Sequence, residues 1–242
     1  MTAAETLPLR EPVLELASLG VEAFTTTRAA GNYGLDDAEP DPESVARWEA
    51  LHLALAPRAP QLASARQVHG GKILEHGATW NGWLRTDGAD GHCSFSPGIA
   101  CAVTVADCVP VFIAHPSGVV ALLHAGWRGT AARITQHGIQ GLTQRGLAPA
   151  ELRLHLGPAI CGRCYVVSPD VFEQLTGWTT ARPRNVDLRS LIADQAKELG
   201  VKQISMSPYC TRCDNDRFFS HRAGDAGRQV GVIVSPNLDS PL

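Results

Sequence analysis

Residues 99–130 read IACAVTVADCVPVFIAHPSGVVALLHAGWRGT, and this stretch decides the fold. It contains three short apolar runs, which are residues 99–106, 109–114 and 119–123. Each run is rich in the Val and Ile that pleated surfaces favour, so each predicts a buried strand. Polar residues stand where these strands end, with Asp107 and Cys108 after the first and His124 after the third. Since rigid strand ends can hold side chains toward a cleft, we expect a functional site there.

The rest of the chain predicts a mixed α/β fold of the α+β type, with a mixed β-sheet core and flanking helices. Further strands are expected at residues 61–66, 72–75, 151–156, 203–207 and 229–234 and in a hairpin over 13–27. Helices are expected over residues 42–56, 129–145, 169–176 and 187–199. Residues 81–85 are expected to form a loop. No linker divides the sequence, so we expect a single domain over residues 1–242 with a frayed end at 1–10.

Composition excludes several classes of protein. Hydrophobic residues make up 44% and charged residues 19% of the chain, as in ordinary globular proteins. A net charge of -3 offers no basic field for nucleic acid, and no apolar stretch is long enough to span a membrane. The first twenty residues lack the basic and apolar blocks of a secretory signal, so we expect a cytoplasmic protein. Seven cysteines, an odd number, favour reduced thiols or metal ligands over a disulfide framework.

Five short motifs in order along the chain resemble one family. They are QVHG at 67–70, ADCVPV at 106–111, HAGWRG at 124–129, GPAI at 157–160 followed by Cys164-Tyr165, and FFSHR at 218–222. This set resembles the multicopper polyphenol oxidoreductase (laccase-like) family over most of the chain. Its members are also described as zinc-dependent purine nucleoside phosphorylases and as peptidoglycan editing factors. The resemblance implies the layered fold of the laccase-like and cytotoxic necrotizing factor-like group.

The resemblance also implies a metal site. In the family, the positions matched by His69, Cys108 and His124 bind one zinc ion, with copper as the alternative metal. Imidazole nitrogens and a thiolate suit zinc, and three protein ligands leave the fourth position for water or substrate. Without the resemblance, each histidine is more readily an ordinary polar residue, and Cys108 a small buried side chain.

Two CxxC pairs form a rival metal site. Cys161 and Cys164 make the first pair, and Cys210 and Cys213 make the second. This spacing is typical of a structural zinc bound by four thiolates. Only Cys164 and Cys210 match the family motifs, so thiols lining a pocket wall are the alternative. The sequence leaves open whether the two pairs meet in space.

The implied reaction, phosphorolysis of a nucleoside, needs an anion clamp because phosphate attacks C1′ of the ribose as the base leaves. Arg128 is the first candidate, since a guanidinium binds phosphate through two parallel hydrogen bonds. A structural ion pair is the alternative for Arg128. Arg66, Arg28 and Arg222 are weaker candidates for contact with the substrate.

Other polar residues of the motifs have two readings each. Asp107 either moves protons in catalysis, as Asp90 also could, or orients a metal ligand. Gln67 either binds a purine edge or closes its strand. His221 either lines the substrate pocket or packs structurally. Cys108 is a metal ligand or, in a hydrolase, a nucleophile beside His124.

The resemblance ranks the functions. The first is a zinc-dependent purine nucleoside phosphorylase acting on adenosine, inosine, guanosine and methylthioadenosine, with adenosine deaminase activity. The second is a peptidoglycan-precursor editing hydrolase with a Cys/His site. Copper-dependent polyphenol oxidation ranks last, because the sequence lacks the H-x-H pairs of clustered copper centres. A metal-binding scaffold without turnover is a fourth reading. The expected partners are a nucleoside and phosphate, with neither nucleic acid nor membrane, for a monomer or homodimer.

Overall fold

The computed structural model describes residues 7–35, 41–77 and 79–236. Two six-stranded mixed sheets dominate it, with strands and helices numbered along the chain. The first sheet has the spatial order β1 (Arg10–Pro12), β2 (Glu22–Thr26), β14 (Gln229–Val234), β7 (Ile99–Val105), β3 (Gln61–Arg66) and β5 (Gly82–Asp87). The second has the order β13 (Gln203–Met206), β10 (Arg153–Leu156), β8 (Val109–Ala114), β9 (Val120–Ala125), β6 (Gly91–Ser94) and β4 (Ile73–His76).

Five α-helices and a small two-stranded ribbon accompany the two sheets in the described residues. The helices are α1 (Pro42–Leu55), α2 (Trp127–Ala131), α3 (Ile134–Gln144), α4 (Pro169–Thr176) and α5 (Leu188–Glu198). The ribbon pairs β11 (Val166–Val167) with β12 (Arg184–Asn185). Among the described residues, no helix is both long enough and apolar enough to cross a bilayer.

The sheets stack face to face because successive strand residues point to opposite faces. In β7, Cys101 and Val103 pack between the sheets with Phe112 of β8. The alternate residue Ala102 points outward and packs with Trp48 of α1. The other face of the second sheet packs against α3, α4 and α5. The layers are therefore helix, sheet, sheet and helices, and both sheets have apolar faces on both sides.

Three connections cross from the first sheet to the second at one edge. They are the segments between β3 and β4, between β5 and β6, and between β7 and β8. Strands β3, β5 and β7 run parallel, so all three crossings leave the same edge of the first sheet. Strand β9 runs antiparallel to β6 and β8, which brings its carboxyl end to the same place. The fold thus gathers four segments that are distant in sequence.

Most predicted elements are confirmed. The three strands of residues 99–130 are β7, β8 and β9. Strand β7 lies in the first sheet, whereas β8 and β9 lie in the second. Helix α1 begins at the predicted place because the Asp41 side chain accepts a hydrogen bond from the Glu43 amide. Helix α5 has the same device, in which Asp187 accepts from the amides of Arg189 and Ser190.

Some local predictions are wrong near the amino terminus. The expected hairpin over residues 13–27 is instead a 3₁₀ helix, Leu14–Leu19, followed by β2, which pairs with the earlier β1. The expected frayed end is too long, since the Leu9 carbonyl accepts from the Thr27 amide and β1 begins at Arg10. The part of that prediction on residues 1–6 lies outside the described residues.

One prediction fails because tertiary pairing overrides local signals. The expected loop at 81–85 lies largely within β5, whose backbone is satisfied by parallel pairing with β3. The strand expected at 72–75 is confirmed as β4, which pairs with β6 in the second sheet.

The helix expected over residues 129–145 is two helices. It is broken at Arg133, which has the left-handed φ of 57°. Helix α2 packs close to the first crossing, where a Cβ on Gly129 would lie 3.3 Å from the Gly70 carbonyl oxygen. Helix α3 packs on β9, where a Cβ on Gly138 would lie 3.0 Å from Leu123. The break lets the two helices follow two different surfaces.

A histidine pair lies in the interior between β4 and β6. His76 Nε2 is 2.9 Å from His92 Nδ1, and His92 is fully buried. The His92 Nε2 atom has no hydrogen-bond partner within the described residues. Burial lowers the pKa of His92 to about 3, and the charge of His76 acts in the same direction. Burial also lowers the pKa of His76.

Protonation of the unfolded chain should therefore destabilise the fold in mild acid. Unfolded histidine takes up its proton near pH 6.5, whereas folded His92 does so only near pH 3. Stability is full above about pH 6.5 and falls below it, by up to about 1.4 kcal/mol per pH unit for one histidine. Urea unfolding at pH 7, 6 and 5 gives the free energy of unfolding at each pH. This free energy should fall less steeply with decreasing pH for His92→Leu than for the unsubstituted chain. An equally steep fall in both would contradict this account, whatever the absolute stability of the variant.

Candidate metal centre

Three potential metal ligands meet where the crossings reach the second sheet. His69 lies in the crossing between β3 and β4, Cys108 in that between β7 and β8, and His124 in β9. One ligand atom from each lies within 4.8 Å of the other two. His69 and Asp107, which precedes Cys108, have positive φ values of 59° and 82°. Such conformations are uncommon for residues other than glycine and cluster at functional sites.

The buried carboxylate of Asp90 holds the centre together. Its Oδ1 accepts from the His69 amide at 2.8 Å and lies 2.9 Å from His124 Nδ1. Its Oδ2 accepts from the amides of Gly70 at 2.7 Å and Val68 at 3.2 Å. One side chain therefore fixes the backbone that carries the first histidine and the ring of the second.

The same contacts set the protonation of Asp90 and the tautomer of His124. Burial raises the pKa of Asp90, but hydrogen bonds from His124, Gly70 and Val68 outweigh burial and hold it below its ordinary value. An ionised carboxylate can only accept, so His124 Nδ1 carries a proton and its Nε2 is the atom left for a metal.

Cys108 is electrostatically prepared to be a thiolate. Burial raises the pKa of its thiol, but the charge of His124 and hydrogen bonds from both histidines bring the pKa down to about 6. Burial lowers the pKa of His124, but the Cys108 thiolate and Asp90 raise it to about 9. Thiolate is the form that binds metal ions.

Gly126 is needed for the approach of α2 to this thiol. A Cβ at this position would lie 2.7 Å from Cys108 Sγ, closer than side-chain carbons approach sulfur. Steric crowding by the thiol therefore explains why the first glycine of the HAGWRG motif, Gly126, has no side chain.

The centre opens on a cleft of about 280 Å³. Its lining consists of Gln67, His69, Thr104, Val105, Ala106, Cys108, His124, His221 and Arg228. All three potential ligands therefore contribute to one wall of a space that admits a small molecule.

Two of the predicted substrate contacts, Gln67 and His221, line this cleft. The Gln67 amide also fastens β7, because its Nε2 donates to the Thr104 carbonyl at 2.9 Å and its Oε1 accepts from the Thr104 amide at 2.7 Å. His221 is exposed at the cleft. Gln67 therefore combines a structural hydrogen bond with a position in the lining of the cleft.

Asp107 is turned toward neighbouring loops. Its Oδ1 accepts from the Thr211 hydroxyl at 2.6 Å, and its Oδ2 accepts from the Arg222 amide at 2.7 Å. Its carbonyl accepts from the Ile160 amide at 3.1 Å. These contacts position the segment that carries Cys108.

The predicted arginines occupy three different surroundings. Arg28 is bound to Asp225 at 2.6 Å and to two backbone carbonyls, and Arg66 is 2.5 Å from Asp87. Arg128 is exposed and stacks over Trp127 at 4.4 Å. Arg222 lies over Tyr165 at 5.0 Å and donates to the Val166 carbonyl. None of the four is among the described residues that line the cleft.

Tyr165 connects two of these arginines to the centre. Burial raises its pKa to about 12, and the charge of Cys108 acts in the same direction while Arg222 and Arg128 oppose it. Tyr165 therefore lies within electrostatic reach of the thiol and of both guanidinium groups. Arg222 lies over the Tyr165 ring, and neither Arg128 nor Arg222 is among the described residues that line the cleft.

Sequence reasoning missed Arg228 and the organising role of Asp90. Arg228 lines the cleft because β14 pairs antiparallel with β7, which sets the start of β14 beside the end of β7. Its Nη1 is fixed by the carbonyls of Ala226 and Gly227, both at 2.9 Å. Asp90, the last residue of the segment DGAD at 87–90, follows β5 as Asp107 follows β7, and that signal was available in the sequence.

The donor set fits a zinc ion. Two imidazoles and one thiolate within 4.8 Å of one another form a three-ligand set, which is the number typical of catalytic zinc. The carboxylate behind His124 is the usual support for a metal-binding histidine. The same three side chains line the cleft.

The chain is similar to known proteins over most of its length. A purine nucleoside phosphorylase of Deinococcus radiodurans is 34% identical, over 94% of both chains. One of Mycobacterium tuberculosis is 32% identical, over 89% of this chain and 92% of its own. The crystal structure of YlmD from Geobacillus stearothermophilus superposes with a TM-score of 0.82 at 30% identity, covering 90% of this chain and 93% of YlmD.

The same fold occurs in the hypothetical protein YfiH of Bacillus licheniformis, with a TM-score of 0.84 at 24% identity, over 94% of this chain and 96% of YfiH. The family model described as multi-copper polyphenol oxidoreductase laccase matches residues 23–236. The chain therefore belongs to the multi-copper polyphenol oxidoreductase laccase family.

Proposed function

We propose that this chain is a zinc-dependent purine nucleoside phosphorylase. Its substrates would be adenosine, inosine, guanosine and methylthioadenosine, with adenosine deamination as a second reaction at the same site. The observation that carries the proposal is the set of His69, Cys108 and His124, which opens on a cleft of about 280 Å³. Relatives named purine nucleoside phosphorylase, matched along most of their length, support the substrate class.

Phosphorolysis forms a bond between phosphate oxygen and C1′ and breaks the bond from C1′ to the purine nitrogen. The bonding electrons leave with the purine, which needs a proton. A zinc ion held by the three ligands would act as a Lewis acid that stabilises developing negative charge. The remaining requirements are an anion site and a proton donor, and both must come from the side chains of the cleft.

Arg228 is the proposed phosphate contact within the cleft. Its guanidinium is anchored by two carbonyls and is positively charged at any physiological pH. Arg128 and Arg222, near Tyr165, add positive charge outside the lining and would attract the anion toward the centre.

His221 is the proposed proton donor to the leaving purine. Among the described residues of the lining, it is the one imidazole outside the ligand set. Imidazole exchanges protons near neutral pH. Gln67 retains one amide hydrogen beyond its bonds to Thr104, and this hydrogen is available to a purine edge.

The geometry also favours a second candidate, a peptidoglycan-precursor editing hydrolase. Cys108, His124 and Asp90 follow one another as nucleophile, base and orienting carboxylate, the arrangement of thiol hydrolases. Copper-dependent polyphenol oxidation ranks below both, because the described lining offers three ligand side chains, which suffice for one metal ion.

Cys108→Ala should abolish nucleoside turnover. Unsubstituted protein incubated with inosine or adenosine should release free base and ribose 1-phosphate only when phosphate is present. The variant should fall to background and lose about one equivalent of bound zinc, because one of three ligands is gone. Cys93→Ala, at a buried thiol outside the cleft lining, is the matched control and should retain activity.

Chromatography of the products and metal analysis measure both quantities. Absence of any nucleoside product from zinc-loaded protein would refute the phosphorylase proposal. Release of amino acid from muropeptide precursors, again lost in Cys108→Ala, would then establish the second candidate.

Asp90→Asn should weaken metal binding by about 10–100-fold. The amide has one accepting oxygen in place of two, so some of the donors Val68, His69, Gly70 and His124 lose their partner. Competition with a chromophoric chelator measures the affinity. Asp87→Asn, at an exposed carboxylate bound to Arg66, is the control and should leave the affinity unchanged. Equal affinities for both variants would rule out the role given to Asp90.

His221→Asn should lower kcat for phosphorolysis by about 100-fold while leaving zinc content unchanged, because it removes a proton donor and not a ligand. The pH profile of kcat should lose its basic limb at the same time. His137→Asn, at an exposed position of α3 outside the lining, is the matched control. An unchanged pH profile would assign His221 to packing.

A further inference from the structure

The two CxxC pairs of the sequence meet at one edge of the second sheet. Strands β10 and β13 are parallel neighbours, with Leu156 opposite Met206, so the loops after them leave in the same direction. A bridge between Ala159 and Cys210 continues the pairing into the loops. The topology thus joins segments that are about fifty residues apart.

The four sulfur atoms of Cys161, Cys164, Cys210 and Cys213 all lie within 4.8 Å of one another. In a tetrahedral site with zinc–sulfur bonds of about 2.3 Å, neighbouring sulfurs are about 3.8 Å apart. The sulfurs of Cys164 and Cys213 are 3.5 Å apart, well beyond the roughly 2.05 Å of a disulfide. All four thiols are free.

Backbone amides point at the sulfur of Cys210, as is usual around metal-bound thiolates. The Cys161 amide, from the other loop, donates to Cys210 Sγ at 3.3 Å, and the Cys213 amide donates to the same atom at 3.4 Å. Cys210 is 5% exposed, so these two donors meet its sulfur in the interior. Amides from both loops therefore converge on one sulfur of the four.

The turns themselves are braced by other residues. Asn185 donates from its amide nitrogen to the carbonyls of Gly162 at 2.7 Å and Arg163 at 3.0 Å. In the second turn, Asp214 accepts from the Cys210 amide at 2.9 Å. The side chain of Arg212 donates to the Cys164 carbonyl and places positive charge beside the thiols. The cluster is therefore preorganised by contacts that do not involve sulfur.

We propose that Cys161, Cys164, Cys210 and Cys213 bind a structural zinc ion that clamps the loops after β10 and β13 together. Four protein ligands fill the tetrahedral shell, so the site is closed and has no position for substrate. Four sulfurs this close enclose a single ion, since the irons of a cluster would hold them further apart. The site does not depend on the function proposed above.

The clamp would also support the candidate metal centre. Thr211, next to Cys210, donates to Asp107, and Tyr165, next to Cys164, lies within electrostatic reach of Cys108. Ile160, next to Cys161, donates through its amide to the Asp107 carbonyl. Each of three cysteines is thus adjacent to a residue that contacts or faces the segment carrying Cys108.

The test is the metal content of the purified full chain, prepared under reducing conditions with zinc. Cys213→Ser should contain about one zinc equivalent less than the unsubstituted protein, because the substitution removes one of four ligands. Cys213 is exposed, so the variant is expected to fold. Cys93→Ala, at a thiol outside both groups, is the matched control and should lose no zinc.

Cobalt substitution gives a second readout that requires neither activity nor the other centre. Cys108→Ala protein loaded with Co²⁺ should show the intense sulfur-to-cobalt absorption of a tetrahedral four-thiolate site, and the Cys108→Ala/Cys213→Ser double variant should lose most of it. Equal zinc content in Cys213→Ser and the unsubstituted chain would overturn the proposal. So would a mass loss of two hydrogens without reductant that maps to Cys164 and Cys213, or a coloured iron–sulfur cluster in the purified protein.

Discussion

The hydrogen bonds accepted by Asp90 are the constraint on which the rest of the centre depends. A carboxylate buried in a protein is costly unless it is fully paired, and Asp90 has four donors around it. Three of them are consecutive backbone amides in the crossing from β3 to β4, and the fourth is His124. The Asp90 carbonyl also accepts from the His124 amide at 2.7 Å. The charge of one residue thus links three segments that share no sequence proximity.

This arrangement is possible because three connections leave the first sheet for the second at one edge. Strands β3 and β7 are buried along nearly their whole length, so the two crossings that carry His69 and Cys108 start from rigid points. Their polar residues cannot enter either apolar layer and instead face one another across the edge. A metal ion or a substrate that bound at this edge would meet side chains already in position. Its binding would therefore cost less conformational entropy.

Much of the fold could be predicted from the sequence because its signals were local. The Val- and Ile-rich runs of β7, β8 and β9 need only their own composition, and α1 and α5 begin at aspartates that cap them. The partition of strands between two sheets was not predictable, because β4 pairs with β6 through contacts that no local pattern encodes. Strand β5, with Gly82, Trp83 and exposed Arg85, forms only because β3 lies beside it.

The candidate site was predictable to a similar degree. His69, Cys108 and His124 were named through motifs, and the geometry places their ligand atoms together. Arg228 required knowledge that β14 starts where β7 ends. For Asp107, the sequence left two readings, and the hydrogen bonds from Thr211 and Arg222 favour the positioning role.

Backbone strain explains why so many contacts converge on the two ligand-bearing turns. A left-handed conformation at a residue other than glycine costs about 1–3 kcal/mol, and it persists only where the surroundings hold it. His69 is held by the hydrogen bond that its backbone amide donates to Asp90. Asp107 is held by hydrogen bonds from the Thr211 hydroxyl and from the amides of Arg222 and Ile160. Two of these anchors, Thr211 and Ile160, stand next to cysteines of the proposed clamp. A closed four-thiolate ion would therefore stabilise, at a distance along the chain, the strained turn that presents Cys108 to the open centre.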